Sequence, residues 1–209
     1  MRALVVFYSR YGNTARLADE IAEGCRGVEG TEVAVRRAPE LTPPEVIARD
    51  ERWRDSFRRI SDRYEEADLD DLERADAVLI GSSNRFGNMA AELKALLDRA
   101  GPLWVRGSLI GRVGGVFTTN STAHSGKEST LLTMIVPLLH FGMIVVGVPP
   151  NVPETAVAGS YYGACATSGP AADQPPTRDE LAVARAHGAH VAEVAAQLMR
   201  GRNFAGVRM

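Results

Sequence analysis

Residues 3–14 read Ala3-Leu4-Val5-Val6-Phe7-Tyr8-Ser9-Arg10-Tyr11-Gly12-Asn13-Thr14, and the way this stretch folds decides the rest. An apolar, partly β-branched run over 3–8 makes a strand, too short for a signal core or a membrane span. The glycine-containing, hydroxyl-rich turn after it opens at once into residues 14–25, where Leu17, Ala18, Ile21 and Ala22 form one helical stripe. A strand turning directly into a helix is half of a βαβ unit. Such a turn aims backbone N–H groups and the positive end of the helix dipole at one point, which suits a phosphate, and Ser9 and Thr14 add hydroxyl donors. It holds no lysine, so a phosphate there rests on amides and hydroxyls rather than on a full counter-charge. A plain helix cap at Asn13 or Thr14 explains those two residues without any ligand, and the turn alone leaves both readings open.

Outward from this unit, strands over 32–36, 77–81, 113–118 and 143–148 alternate with helical patterns over 89–97, 129–139 and 178–199, which predicts a parallel sheet. The last helix is entered through Pro175, Pro176 and Thr177, with Glu180 completing a capping box. Two segments exceed a minimal five-strand pattern. Over 47–67, Trp53, Phe57, Ile60 and Tyr64 share one face of a charged helix, either laid over a sheet edge or buried in a subunit contact. The stretch 149–176 is too long for a plain connection, and loops of that length are usually functional or mobile. With no repeat and no linker, residues 1–209 form one domain. The net charge of −2, both signs interspersed, offers no basic face for nucleic acid. Cys25 and Cys165 lie far apart outside any CxxC or Cys/His cluster, which argues against a disulfide framework or a metal site. Together with the absence of an export signal, this points to the cytoplasm.

In an open parallel sheet, ligands bind beyond the carboxyl ends of the strands at the switch point. The third strand ends in Asn84-Arg85-Phe86-Gly87-Asn88-Met89: glycine lets backbone approach a flat ligand, Phe86 offers an aromatic surface, and Arg85 a delocalised cation. The fourth ends in Thr119-Asn120-Ser121-Thr122-Ala123-His124, small and polar, equally fit to hydrogen-bond a heterocycle or to form a solvated turn. Rival nucleotide motifs fail. No G-x-G-x-x-G follows any strand, and in Ser125-Gly126-Lys127-Glu128 the glutamate stands where a P-loop needs Ser or Thr.

These blocks, together with Gly101-Pro102-Leu103-Trp104, Leu139-His140-Phe141-Gly142-Met143, Tyr162-Gly163-Ala164 and the closing helix, resemble in order and spacing the WrbA-type NAD(P)H:quinone oxidoreductases. Only residues 49–69 fall clearly outside the resemblance. It implies a flavodoxin-like doubly wound α/β fold, five parallel strands in the order 2-1-3-4-5, with a helical insertion after the second and an extended segment after the fifth. It implies FMN, held by Ser9, Arg10, Tyr11, Gly12, Asn13 and Thr14 at the phosphate. Asn84, Arg85 and Phe86 would run along the ring, with Thr119, Asn120, Ser121, Thr122, Ala123 and His124 across it. It places Trp104 and Tyr11 against the quinone and His140 at the active site. On its residues alone, His140 between Leu139 and Phe141 reads as a core histidine, whereas His187 and His190 read as a solvated face. Two departures stand out. Asn120, Ser121, Ala123 and His124 occupy positions that are typically glycine in the family, and Phe141 stands where a second histidine is common.

The implied chemistry is two-electron transfer from NAD(P)H through FMN to a quinone, commonly in ping-pong order, with Arg85 steadying negative charge and His140 assisting protonation. The resemblance further implies a homotetramer with active sites lined by more than one subunit. A flavodoxin-type electron carrier is the main alternative, but such carriers tend to be strongly acidic. A flavin-binding regulatory module has no support in these residues.

Overall fold

In the computed structural model, which describes residues 1–205, strand β1 (Arg2–Tyr8) lies inside a parallel sheet between β2 (Glu32–Arg37) and β3 (Ala77–Ser83). Next come β4 (Val113–Asn120) and β5 (Ile144–Val145), giving the expected order β2-β1-β3-β4-β5. Alternation along β1 sends Val5 and Phe7 to one face and Leu4 and Val6 to the other, and each face builds its own core. Helices α1 (Asn13–Arg26) and, at the end of the chain, α8 (Arg178–Ala205) cover the first face with Leu17, Ile21, Val183 and Val191. They cross at small residues: a Cβ on Gly24 would stand 2.0 Å from Arg185 O, and one on Gly188 2.1 Å from Ile21 O.

The segment between β2 and β3 is not the single helix expected over 47–67. It divides into α2 (Pro44–Ile47), α3 (Glu51–Arg63) and α4 (Leu69–Arg74). Residues 64–67 run extended beside the end of β2, where Arg37 N–H donates to Glu65 O and Ala67 N–H to Arg37 O. Most of the stripe is covered within the chain itself, with Phe57 half-buried. Trp53 and Ile60 are buried, and Tyr64 meets Phe7 edge-on with centroids 5.0 Å apart and donates its hydroxyl to Asp19 at 2.8 Å. On the opposite face of the sheet, α5 (Ala91–Arg99), α6 (Gly101–Arg106) and α7 (Lys127–His140) supply Leu93, Leu96, Leu103, Leu131 and Met134 to the second core.

The fifth strand is also interrupted, in place of the continuous run expected over 143–148. β5 pairs only with Val113 and Gly114, while β6 (Ala164–Thr167) takes up the edge of β4 from Phe117 to Asn120. Between them the chain leaves the sheet and makes a short 3-10 turn at Pro153–Ala156. His187 of α8 fills the gap: Ala164 N–H donates to its Nδ1 (3.4 Å), and its Nε2 lies 3.0 Å from Val146 O. The ring is completely buried, which corrects its placement on a solvated face, and burial holds its pKa down to about 4. The capping box at the start of α8 forms as expected, Glu180 N–H donating to Thr177 Oγ1 at 3.2 Å and Thr177 N–H to Glu180 Oε2 at 2.8 Å.

Candidate functional site

The carboxyl ends of β1, β3 and β4 converge on one polar cavity of about 110 Å³. Its first wall is the turn between β1 and α1. Gly12, with φ of 96°, takes the left-handed conformation that only glycine adopts readily, and no side chain caps α1. The first-turn amides of α1 therefore point outward without helical acceptors. Ser9 Oγ accepts from Gly12 N–H at 3.0 Å, which leaves the Ser9 hydroxyl proton free to donate. Thr14, buried, shares a 2.7 Å hydrogen bond with Thr119 across the cavity floor.

The second wall comes from β3 and β4. Asn84 is locked by three bonds: its N–H donates to Thr119 O (2.7 Å), its Nδ2 to Ser125 O (2.6 Å), and Gly87 N–H donates to its Oδ1 (2.9 Å). Arg85 lines the cavity on a tight turn closed by reciprocal backbone bonds with Asn88 of 2.8 and 3.0 Å. Its positive charge opposes the burial that raises the pKa of Tyr8 and of Glu92. Thr119, Asn120 and Ser121 line the cavity, whereas Thr122, Ala123 and His124 turn to solvent outside it. Phe86 is fully exposed with φ of 55°, an uncommon conformation for a bulky residue, and lies beyond the cavity lining.

Three lining residues escaped the sequence reading: Ser83, Ser168 and Ala172. Ser168 and Ala172 belong to the loop after β6, held in place by Ser168 N–H to Asn120 O (2.7 Å) and Asn13 Nδ2 to Ala172 O (3.2 Å). No motif marks them, because they reach the cavity only through the interrupted fifth strand. Around the cavity, Arg10 Nε, Ser83 Oγ and Asn120 Oδ1 are buried with no hydrogen-bond partner among the described residues. Buried polar atoms cost free energy unless satisfied, so these three orphans beside the N-terminus of α1 suit a polar ligand, the donors and helix end facing its anionic part and Asn120 Oδ1 facing a donor on it. The donor set fits the phosphate and polar edge of FMN.

His140 and Trp104 lie elsewhere. They line an apolar cleft of about 480 Å³ between α5, α6 and α7, together with Met89, Leu97 and Val136. Trp104 Nε1 donates to His140 O at 2.9 Å. Both side chains are exposed, so His140 is not the core histidine its neighbours suggest. At 1.5 Å per residue, α7 carries His140 about 20 Å from the cavity end of that helix. Within one chain the two groups of predicted site residues are thus not brought together, and only the loop 84–89 touches both cavities.

The model of the family described as NADPH-dependent FMN reductase matches residues 1–154. The chain is similar to NAD(P)H dehydrogenase (quinone) of Syntrophobacter fumaroxidans, 42% identical over 205 residues that cover 96% of this chain and 100% of the relative. It is 44% identical to the protein of the same name from Archaeoglobus fulgidus over 197 residues, 94% of this chain and 98% of that one. Among solved structures it resembles a WrbA-like flavodoxin protein from Agrobacterium tumefaciens, with a TM-score of 0.66 and 22% identity, covering 94% of this chain and 98% of that chain. Flavodoxin 1 from Bacillus cereus aligns with a TM-score of 0.59 at 18% identity, covering 92% and 98%. At those identities the structural likeness shows a flavodoxin-like fold.

Proposed function

The chain belongs to the NADPH-dependent FMN reductase family, and from that premise we propose that it is an FMN-dependent NAD(P)H:quinone oxidoreductase, working as a single FMN-binding domain in a cytoplasmic homotetramer. The observation that carries the flavin assignment is the cavity at the ends of β1, β3 and β4, where orphaned buried donors and acceptors surround the N-terminus of α1. FMN bound there would supply two-electron chemistry between NAD(P)H and a quinone. The protein's residues supply the rest. Ser9, Thr14 and the first-turn amides of α1 bind the phosphate, and Asn84, Asn120 and Ser121 present hydrogen-bonding groups toward the ring edge. Arg85 places a fixed positive charge beside them, where negative charge develops.

The tetramer is supported by the exposed apolar side chains of Trp104, Val105, Ile110, Val136 and Leu139, carried by α6, the turn after it and α7. It is supported too by the distance of His140 from its own chain's cavity. A neighbouring copy would bring Trp104 as a wall for the quinone and the His140 imidazole as a proton donor to a quinol oxygen. A cytoplasmic setting fits Cys25 and Cys165, both free buried thiols.

The test is steady-state oxidation of NADH or NADPH by FMN-loaded protein, with and without benzoquinone. Turnover that depends on the quinone and is lost when FMN is stripped is the expected result. Flavin binding without quinone-dependent turnover would leave only a carrier.

A further inference from the structure

Resting on the flavin assignment above, we propose that helix α3 is a clamp that fixes Arg10 as the counter-charge for the flavin's terminal phosphate, so that Arg10 selects FMN over unphosphorylated flavin and Trp53 is its positioning residue. Arg10 is the sole cation in the turn 9–14, and it lines the cavity. Its guanidinium carbon sits 3.8 Å from the centroid of the Trp53 ring, a stacked cation–π geometry that fixes the plane of the group. Stacking occupies one face and leaves the in-plane donors of the edge available, and Nε is buried without a hydrogen-bond partner among the described residues.

Asp50 steadies the same group without consuming it. Its Oδ2 is 3.5 Å from an Arg10 terminal nitrogen, while the carboxylate also accepts from Tyr11 Oη (2.7 Å) and from Trp53 N–H (3.0 Å), the latter as the N-cap of α3. The clamp reaches the other cavity wall as well. Arg52 donates to Ala171 O (2.8 Å) and Ala172 O (3.1 Å), and Ser56 Oγ would be 3.6 Å from a Cβ placed on Gly12. A long exposed arginine loses rotamer freedom when it orders on a ligand, whereas one already held by an indole and a carboxylate does not. Helix α3 thus gains a role: it preorganises the positive charge that the turn's hydroxyls and amides do not provide.

The experiment is titration of apoprotein with FMN and with riboflavin, followed by flavin fluorescence, in wild type, Arg10→Ala, Trp53→Leu and the double variant. The readout is the ratio of the two affinities, which a general loss of stability does not shift. Arg10→Ala is expected to weaken FMN on the order of tenfold to a hundredfold, as for loss of a charge-assisted contact, and to leave riboflavin unchanged. Trp53→Leu keeps an apolar plug under α3 but removes the stacking plane, and should weaken FMN several-fold with riboflavin again unchanged. The double variant should match Arg10→Ala alone, because Trp53 acts through Arg10. An unchanged ratio in Arg10→Ala, equal loss of both ligands in Trp53→Leu, or additive effects in the double variant would each overturn the clamp. Wild type that binds both flavins equally removes the phosphate selection while the flavin site stands; wild type that binds neither removes the flavin assignment itself.

Discussion

Arg85 shows how much one residue depends on its frame. Its backbone is closed into a turn by Asn88, and its side chain lines the cavity beside the orphaned Ser83 and Asn120. An electron carrier needs only to hold flavin, whereas a reductase must also stabilise charge as hydride arrives and leaves. Loss of one positioned donor costs about 3 kcal/mol in other enzymes, roughly a hundredfold in rate. Arg85→Ala is therefore expected to lower quinone-dependent turnover by about that factor and to weaken FMN binding. Stopped-flow kinetics separates flavin reduction by NAD(P)H from reoxidation by quinone, and wild-type rates in both half-reactions would strip Arg85 of this role. Histidines show the opposite dependence, of meaning on burial. The expectation of a core histidine fell on His140, which is exposed, while the buried one is His187. The signal for His187 was present in its own helix: Val183, Ala184 and Val191 lie at spacings of four, three and four, and all are buried.

At the scale of elements, the β1-turn-α1 unit and the capping box of α8 were legible because each rests on local periodicity or fixed spacing, whereas the sheet order followed from the family resemblance. The interrupted fifth strand was not. Ala164-Cys165-Ala166-Thr167 is short, small and without alternation, and only its pairing with β4 makes it a strand. Spacing likewise showed that Trp53 and Ile60 share a face but not that the chain itself covers it. The interruption has a consequence in acid. His187 bridges Val146 and Ala164 as a neutral ring, with a folded pKa of about 4 against an ordinary value of 6.5. Between those values the unfolded chain binds the proton and the folded one does not, so stability falls as pH drops from 6.5 towards 4. The loss approaches roughly 3 kcal/mol by the lower end. Urea midpoints at pH 7 and pH 5 should therefore differ more in wild type than in His187→Gln, and equal differences would contradict this account. The α1–α8 crossing predicts a second effect. Because a Cβ on Gly188 would stand 2.1 Å from the Ile21 carbonyl oxygen, Gly188→Ala must push two backbones apart. A destabilisation of about 2 to 3 kcal/mol is expected from overpacking, read as a lower urea midpoint.

At the scale of the whole molecule, one chain carries two separate cavities. The polar cavity carries Arg85, and the apolar cleft about 20 Å along α7 carries His140 and Trp104. If copies assemble so that the cleft of one faces the cavity of the next, each active site takes Arg85 from one chain and His140 from another. That arrangement makes a prediction no monomeric site makes. Arg85→Ala and His140→Ala should each lower turnover alone, His140→Ala the less severely. Co-expressed in equal amounts and assembled at random, they should regain activity, since about one site in four then pairs a chain with intact Arg85 and a chain with intact His140. Light scattering should show the same tetramer in the mixed and parent preparations. Mixed assemblies no more active than the mean of the two parents would place both residues' effects within single chains and would rule out a site shared between copies.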